Sequence, residues 1–172
     1  MAFILAGSTN PHGGPLLRSE IVGNSVALVE LDSVKASSGF LALGTTGALV
    51  FGHVKAIVTN DGVGPSTDGT AGAKVGSYAG AFTMASDNQT VAKVRAMCDV
   101  SKNTLYSADP DATIGTTTGS NLLGYMTDIL DEDNTDESTA VTTTAQYAIW
   151  GVDPLDSGNQ IVSIVESQMF GV

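Results

Sequence analysis

Short runs of aliphatic and β-branched residues, each closed by glycine, proline or an Asn/Asp pair, recur along this chain and leave no room for a long helix. Phe40-Leu41-Ala42-Leu43 lies between Gly39 and Gly44. Ala48 to Thr59 stops at Asn60-Asp61-Gly62, and Ile161 to Glu166 follows Asp156-Ser157-Gly158-Asn159. Glycine reaches positive φ without steric cost, and Asn and Asp bond their own backbone. Such residues therefore turn a chain sharply between strands. Thr90 to Val100 alternates, with Ala92, Val94, Ala96, Cys98 and Val100 on one face and Val91, Lys93, Arg95, Met97 and Asp99 on the other. That places Cys98 inward, as a small core residue. Ser25 to Leu31, Asn121 to Ile129 and Gln146 to Val152 read as further strands, and Lys102 to Tyr106 as a turn into another, ended by Asp109-Pro110-Asp111. Asp128 to Asp136 is interrupted by Asn and Thr and has the wrong apolar spacing for a helix. Strands of this length with turns between them predict an all-β chain, a single β-barrel or β-sandwich domain.

The first twenty residues differ. Phe3-Ile4-Leu5 is followed by Gly7-Ser8-Thr9-Asn10-Pro11-His12-Gly13-Gly14-Pro15, whose prolines and glycines oppose both helix and central strand. Residues 1–20 are expected to form an extended N-terminal arm, and residues 21–172 the β domain. A solvated tail gains nothing from Phe3, Ile4 and Leu5. With Pro11 and His12 they are the candidate partner-binding residues, packing on a neighbour or adding a strand to its sheet edge. Val63 to Gly76 has the composition of a long surface loop. No repeat of fixed period and no interior boundary is visible.

Composition narrows the function classes. Seven basic and 18 acidic residues in 172 leave a net charge of −11, which opposes binding to phosphate backbones. One cysteine excludes an internal disulfide and a cysteine-based zinc site. No apolar run approaches the roughly 18 residues of a membrane span, and the opening run lacks the basic region and length of a signal peptide. Three motifs fail on inspection. Gly115-Thr116-Thr117-Thr118-Gly119-Ser120 has no lysine to reach a phosphate. The acidic run from Asp131 lacks glycine at the sixth position of a calcium loop, where Asp136 stands, and glutamate at the twelfth, where Thr142 stands. An exposed acidic loop is expected there instead. Asp156-Ser157-Gly158 is flanked by Leu155 and Asn159, and only His12 and His53 could serve Ser157 as base. Trp150 is expected to be a core or interface anchor. No catalytic, cofactor or metal residues are assigned.

Three stretches carry a family resemblance: SVALVELDSVKASSGFLALGTTGALVFGHVKAIVT, NQTVAKVRAMCDVSKNTLYSADPDATIGTTTGSNLLGYMTDI and YAIWGVDPLDSGNQIVSIVESQ. Their glycine-bounded strands, Thr/Ala-rich loops and closing Asp/Gly/Asn turn resemble the decoration (cement) proteins and related small virion proteins of tailed bacteriophages. The resemblance implies a β-barrel or sandwich on the outer capsid surface, often a homotrimer, that locks the major capsid protein lattice. It also implies that Ala2 to Pro15 is an arm adding a strand to the capsid protein. Here the loops Val63–Gly76 and Asp131–Thr144 lengthen the pattern. Two other readings stand beside it. One is a tail, baseplate or head-fibre component with a carbohydrate- or partner-binding loop at Gly115–Asn121 or Asp131–Thr144. The other is a small secreted hydrolase using Ser157 or paired carboxylates.

Overall fold

A computed structural model describes residues 4–8, 16–59, 82–84, 86–91, 94–111, 125–131, 134–141 and 145–169. In chain order the strands are β1 (Ile4–Ser8), β2 (Leu17–Ile21), β3 (Ala27–Leu28), β4 (Ser33–Ser37), β5 (Phe40–Leu43), β6 (Val50–Thr59) and β7 (Phe82–Thr83). A one-turn helix, α1 (Asn88–Val91), precedes β8 (Val94–Asp99) and β9 (Thr104–Pro110). Then come β10 (Met126–Ile129), β11 (Asn134–Val141), β12 (Tyr147–Val152) and β13 (Gln160–Ile164). The expected all-β architecture is present.

Two curved sheets carry the fold. The C-terminal one runs β9-β11-β10-β12-β13 and closes into a barrel where β13 pairs back onto β9. Closure removes the free edges that an open sheet would expose. Its interior holds Tyr106, Ala108, Ile129, Tyr147, Ile149, Val162 and Ile164. The N-terminal sheet runs β2-β8-β6-β4-β5. It curls until Val22, just beyond β2, meets Leu41 of β5 in a parallel bridge, where the Gly23 amide donates to the Leu41 carbonyl at 2.8 Å. Val22, Leu28, Val34, Leu41, Phe51, Val54, Ile57, Ala96 and Cys98 fill it. Cys98 is therefore the inward core residue that alternation predicts.

The two sheets are built alike, although the sequence shows no repeat. In each, the first strand pairs with the fifth, the fifth with the fourth, the fourth with the second and the second with the third, all antiparallel. The third then meets the first in parallel. The register agrees at corresponding points of the two rings, apart from a slip between Met126 and Asp128 in the β10–β11 pairing that the β4–β5 pairing lacks. Val54 faces Cys98 as Ile149 faces Val162, and Cys98 faces Arg18 as Val162 faces Tyr106. Val22 meets Leu41 as Pro110 meets Thr135. A β-bulge interrupts both fourth strands at the same point, between Val54 and Ala56 and between Ile149 and Gly151. Each bulge inserts one unpaired residue, Lys55 or Trp150, and sharpens the strand's bend. Core positions repeat as buried apolar residues of different identity, such as Cys98 and Val162, so shape is shared where sequence is not.

Several expectations are corrected. The arm proposed for residues 1–20 contains two strands of this body: β1 pairs antiparallel with β9, and β2 with β8. β2 also crosses the expected boundary at residue 20. Ser25 to Leu31 is not one strand. Ser25 and Leu31 take positive φ, 57° and 79°, and Asp32 Oδ2 captures the Val29 amide at 2.7 Å, leaving only β3 in sheet pairing. Thr90 and Val91, expected to open the alternating strand, belong to α1 instead. Asp131 does cap a turn, accepting from the Asn134 amide at 2.9 Å. From Asn134, however, the acidic run continues as β11 and not as a loop, because Thr135 is buried in barrel pairing with Ile129. Val63–Gly76 and Gly115–Asn121 lie outside the described residues.

Candidate functional site

Among the described residues, buried polar side chains gather where the two sheets meet. β6 carries His53 and β8 carries Asp99, paired side by side. The C-terminal barrel brings Thr104 and Tyr106 from β9 and Tyr147 from β12, and β4 adds Ser33. All six are buried. The His53 ring lies over that of Tyr106, centroids 4.1 Å apart. Its Nδ1 stands 3.0 Å from the Leu31 carbonyl and its Nε2 stands 2.8 Å from the Tyr147 hydroxyl. A carbonyl only accepts, so Nδ1 carries the proton and Nε2 accepts from Tyr147. The Tyr147 oxygen in turn accepts from Ser33 Oγ at 3.2 Å. Directional donors thus run from Ser33 through Tyr147 and His53 to the backbone of Leu31.

Asp99 closes the other half. Its carboxylate accepts from the Ser101 amide at 2.9 Å, the Thr104 hydroxyl at 2.8 Å and the Tyr106 hydroxyl at 2.9 Å. Gly52 makes this approach possible, since a Cβ there would sit 2.3 Å from the Asp99 carbonyl oxygen. Lys55 stands over the Tyr106 ring at 5.3 Å.

Burial decides the charge states. It drives the His53 imidazole down to about 3, against the Leu31 bond that favours the proton. His53 is therefore neutral across the physiological range. Burial, and then the charge of Asp99, push the Tyr106 phenol above its ordinary range; burial does the same to Tyr147. Lys55 is lowered by burial while Asp99 and Glu30 pull it back. Burial pushes the Cys98 thiol up to about 12. Each polar group of the junction reaches another protein group, which is how buried polar atoms offset their lost hydration. The arrangement ties the sheets together. Gln146 adds a second tie, donating to the carbonyls of Thr45 and Ala48 and accepting from the Ile129 amide.

The candidate partner-binding residues divide. Ile4 and Leu5 lie on β1, facing Ser107 and Tyr106 of the same chain. Phe3, Pro11 and His12 lie outside the described residues. Ser157 is exposed in the β12–β13 turn, while His53 is completely buried with both ring nitrogens engaged, so these two are not presented together. Trp150 is not a core residue: it is 49% exposed, with its indole donating to Ser163 Oγ at 2.9 Å. Sequence reading missed Asp99, Tyr106 and Tyr147. Alternation sets Asp99 on the face of Lys93 and Arg95, yet it is completely buried.

A surface feature lies on the N-terminal sheet. Between Arg18 and Glu20 of β2 and Ala36, Phe40, Leu41 and Phe51 opposite there is a cleft of about 190 Å³. Arg18 binds Glu20 at 2.8 Å and stands 5.4 Å over the Phe51 ring. Beside it Leu16 and Leu17 are 64% and 45% exposed. Among the described residues no group of three or more His, Cys, Asp or Glu gathers as a metal site, and no helix is long and apolar enough to cross a membrane. Compared with known proteins, the chain matches no family model, no curated protein and no solved structure.

Proposed function

We propose that this chain is a virion structural protein that decorates and stabilises the outside of a phage capsid by binding the major capsid protein. One observation carries the reading: a short strand at the N-terminal end pairs along an edge of β9. β1 makes four residue pairs with β9, interrupted by a bulge between Leu5 and Gly7, and shares that edge of β9 with β11. It leads into Pro11-His12-Gly13-Gly14-Pro15. Such a strand can exchange one edge for another at little cost, which is the chemistry of strand addition. On a shell, the weak contact of one copy is multiplied over the lattice. A net charge of −11 keeps particles apart and away from nucleic acid. The homotrimeric state follows the family resemblance.

Mass spectrometry of purified particles tests the location: hundreds of copies per virion mean shell decoration, whereas a few to tens mean tail or vertex. Deletion of residues 1–15 tests the arm. Retention on heated or chelated particles is expected to fall while the circular dichroism spectrum of the free chain keeps its β signature. Undiminished retention refutes the arm.

A further inference from the structure

The shared register of the two sheets shows that a position filled in one is open in the other. On β9, β13 takes one edge, while β1 and β11 follow one another along the other: Ile4 faces Ser107, Leu5 faces Tyr106 and Ser8 faces Thr104, before Asn134 faces Asp109. The equivalents of Thr104, Leu105, Tyr106 and Ser107 on β2 and its approach are Leu16, Leu17, Arg18 and Ser19. There β8 takes one edge, and β5 joins the other only at Val22. Among the described residues no strand occupies the place corresponding to β1.

The backbone of that edge is directed outward. The Val100 amide donates to the Leu16 carbonyl at 2.8 Å, so Leu16 turns its polar groups toward β8. Antiparallel alternation then turns the N–H and C=O of Leu17 and Ser19 away from it. The Ser19 carbonyl is held meanwhile by a side chain: the Arg95 guanidinium donates to it at 3.0 Å. A long cation on an open edge is a common guard against unspecific pairing. The cleft beneath is walled by Ala36, Phe40, Leu41 and Phe51 and rimmed by the Arg18–Glu20 pair, whose charges offset each other.

We propose that the outer edge of β2 at Leu17–Ser19 is a strand-acceptor slot for an extended, uncharged segment of a partner protein, running antiparallel to β2. Its pattern is that of Ile4-Leu5-Ala6-Gly7-Ser8, with an aliphatic side chain entering the cleft. The direction, register and residue type come from β1 on the equivalent edge. Stoichiometry argues for a foreign occupant: the described residues of each chain hold one such strand and two such edges, so exchange of β1 among copies always leaves one edge per copy unfilled. The slot follows from pairing register and is independent of the virion reading.

The test uses the full chain, isotopically labelled, and an acetylated, amidated peptide with the sequence of residues 3–10. Amide exchange at Leu17 and Ser19 is expected to slow by about tenfold or more on saturation, with Leu105 and Ser107 unchanged. A peptide N-methylated at alternate residues is expected to have no effect. Ser19→Pro is expected to abolish binding and leave the melting temperature near the parent's, because the Ser19 N–H does not face β8. No slowing at Leu17 and Ser19, or slowing only at Leu105 and Ser107, overturns the proposal. So does concentration-dependent self-association that Ser19→Pro removes, which would make a second copy the occupant. Should Ser19→Pro fail to fold, the N-methylated peptide decides alone.

Discussion

Acidification is expected to weaken this fold through His53 before it does so through most other groups. The imidazole sits near 3 in the folded chain because it is wholly buried, and near 6.5 when the chain unfolds. The sign follows from proton binding. As pH falls below about 6.5 the unfolded state takes up a proton that the folded state refuses, so stability is full above that pH and declines until about pH 3. At pH 5 an unfolded imidazole is more than nine-tenths protonated, and the linkage cost relative to pH 7.5 is about 2 kcal/mol. For a chain of 172 residues that lowers the melting temperature by about 4–8 °C. Calorimetry at pH 7.5 and 5.0 on the parent and on His53→Gln measures it. The acidic residues titrate in both backgrounds and cancel in the comparison, leaving the parent with the steeper loss. Equal losses in the two proteins refute the reasoning. So does an NMR titration in which the His53 Cε1 proton shifts with a midpoint near 6.5.

Gly52→Ala is expected to cost about 3 kcal/mol or more, read by urea denaturation, since a Cβ at 2.3 Å from the Asp99 carbonyl forces β6 and β8 apart. Asn88→Ala removes three buried bonds, to the Val22 carbonyl and to both backbone groups of Val94; a loss of about 2–4 kcal/mol is expected, with faster amide exchange at Val94. Cys98, buried and with its thiol pushed up to about 12, is expected to resist a thiol reagent at pH 8 until denaturant is added. Trp150, the single tryptophan and half exposed, is expected to be quenched by acrylamide in the native state.

The strands were legible where the sequence alternates, because a strand buried on one face must repeat with period two. Val94, Ala96 and Cys98 fall inward as their spacing demands, and Ser38 and Gly39 turn with positive φ where a glycine follows two serines. What alternation cannot convey is pairing between distant strands. Nothing local in Thr104 to Pro110 says that β1 and β11 share one of its edges. The junction was illegible for the same reason. His53 and Tyr147 are 94 residues apart, and each alone reads as an ordinary strand residue. Ser25 to Leu31 misled because Asp32 offers the backbone a turn bond that a count of apolar residues ignores.

The likeness of the two sheets makes their differences informative. By register His53 corresponds to Ala148, Asp99 to Ser163 and Gly52 to Tyr147. The polar tie is therefore assembled once, from the N-terminal sheet's His53 and Asp99 and the C-terminal barrel's Tyr106 and Tyr147. Two identical rings packed there would have set like against like. The same substitutions separate the outer edges. Tyr106, paired at its backbone with Leu5, is completely buried and bound to Asp99. Arg18, its equivalent, has a side chain 56% exposed that, among the described residues, binds Glu20 and stands over the Phe51 face. A tyrosine committed to the interior seals an edge that the chain's own strand covers. An arginine that can move aside leaves the matching edge accessible, so one ring anchors the molecule while the other presents a surface to be joined.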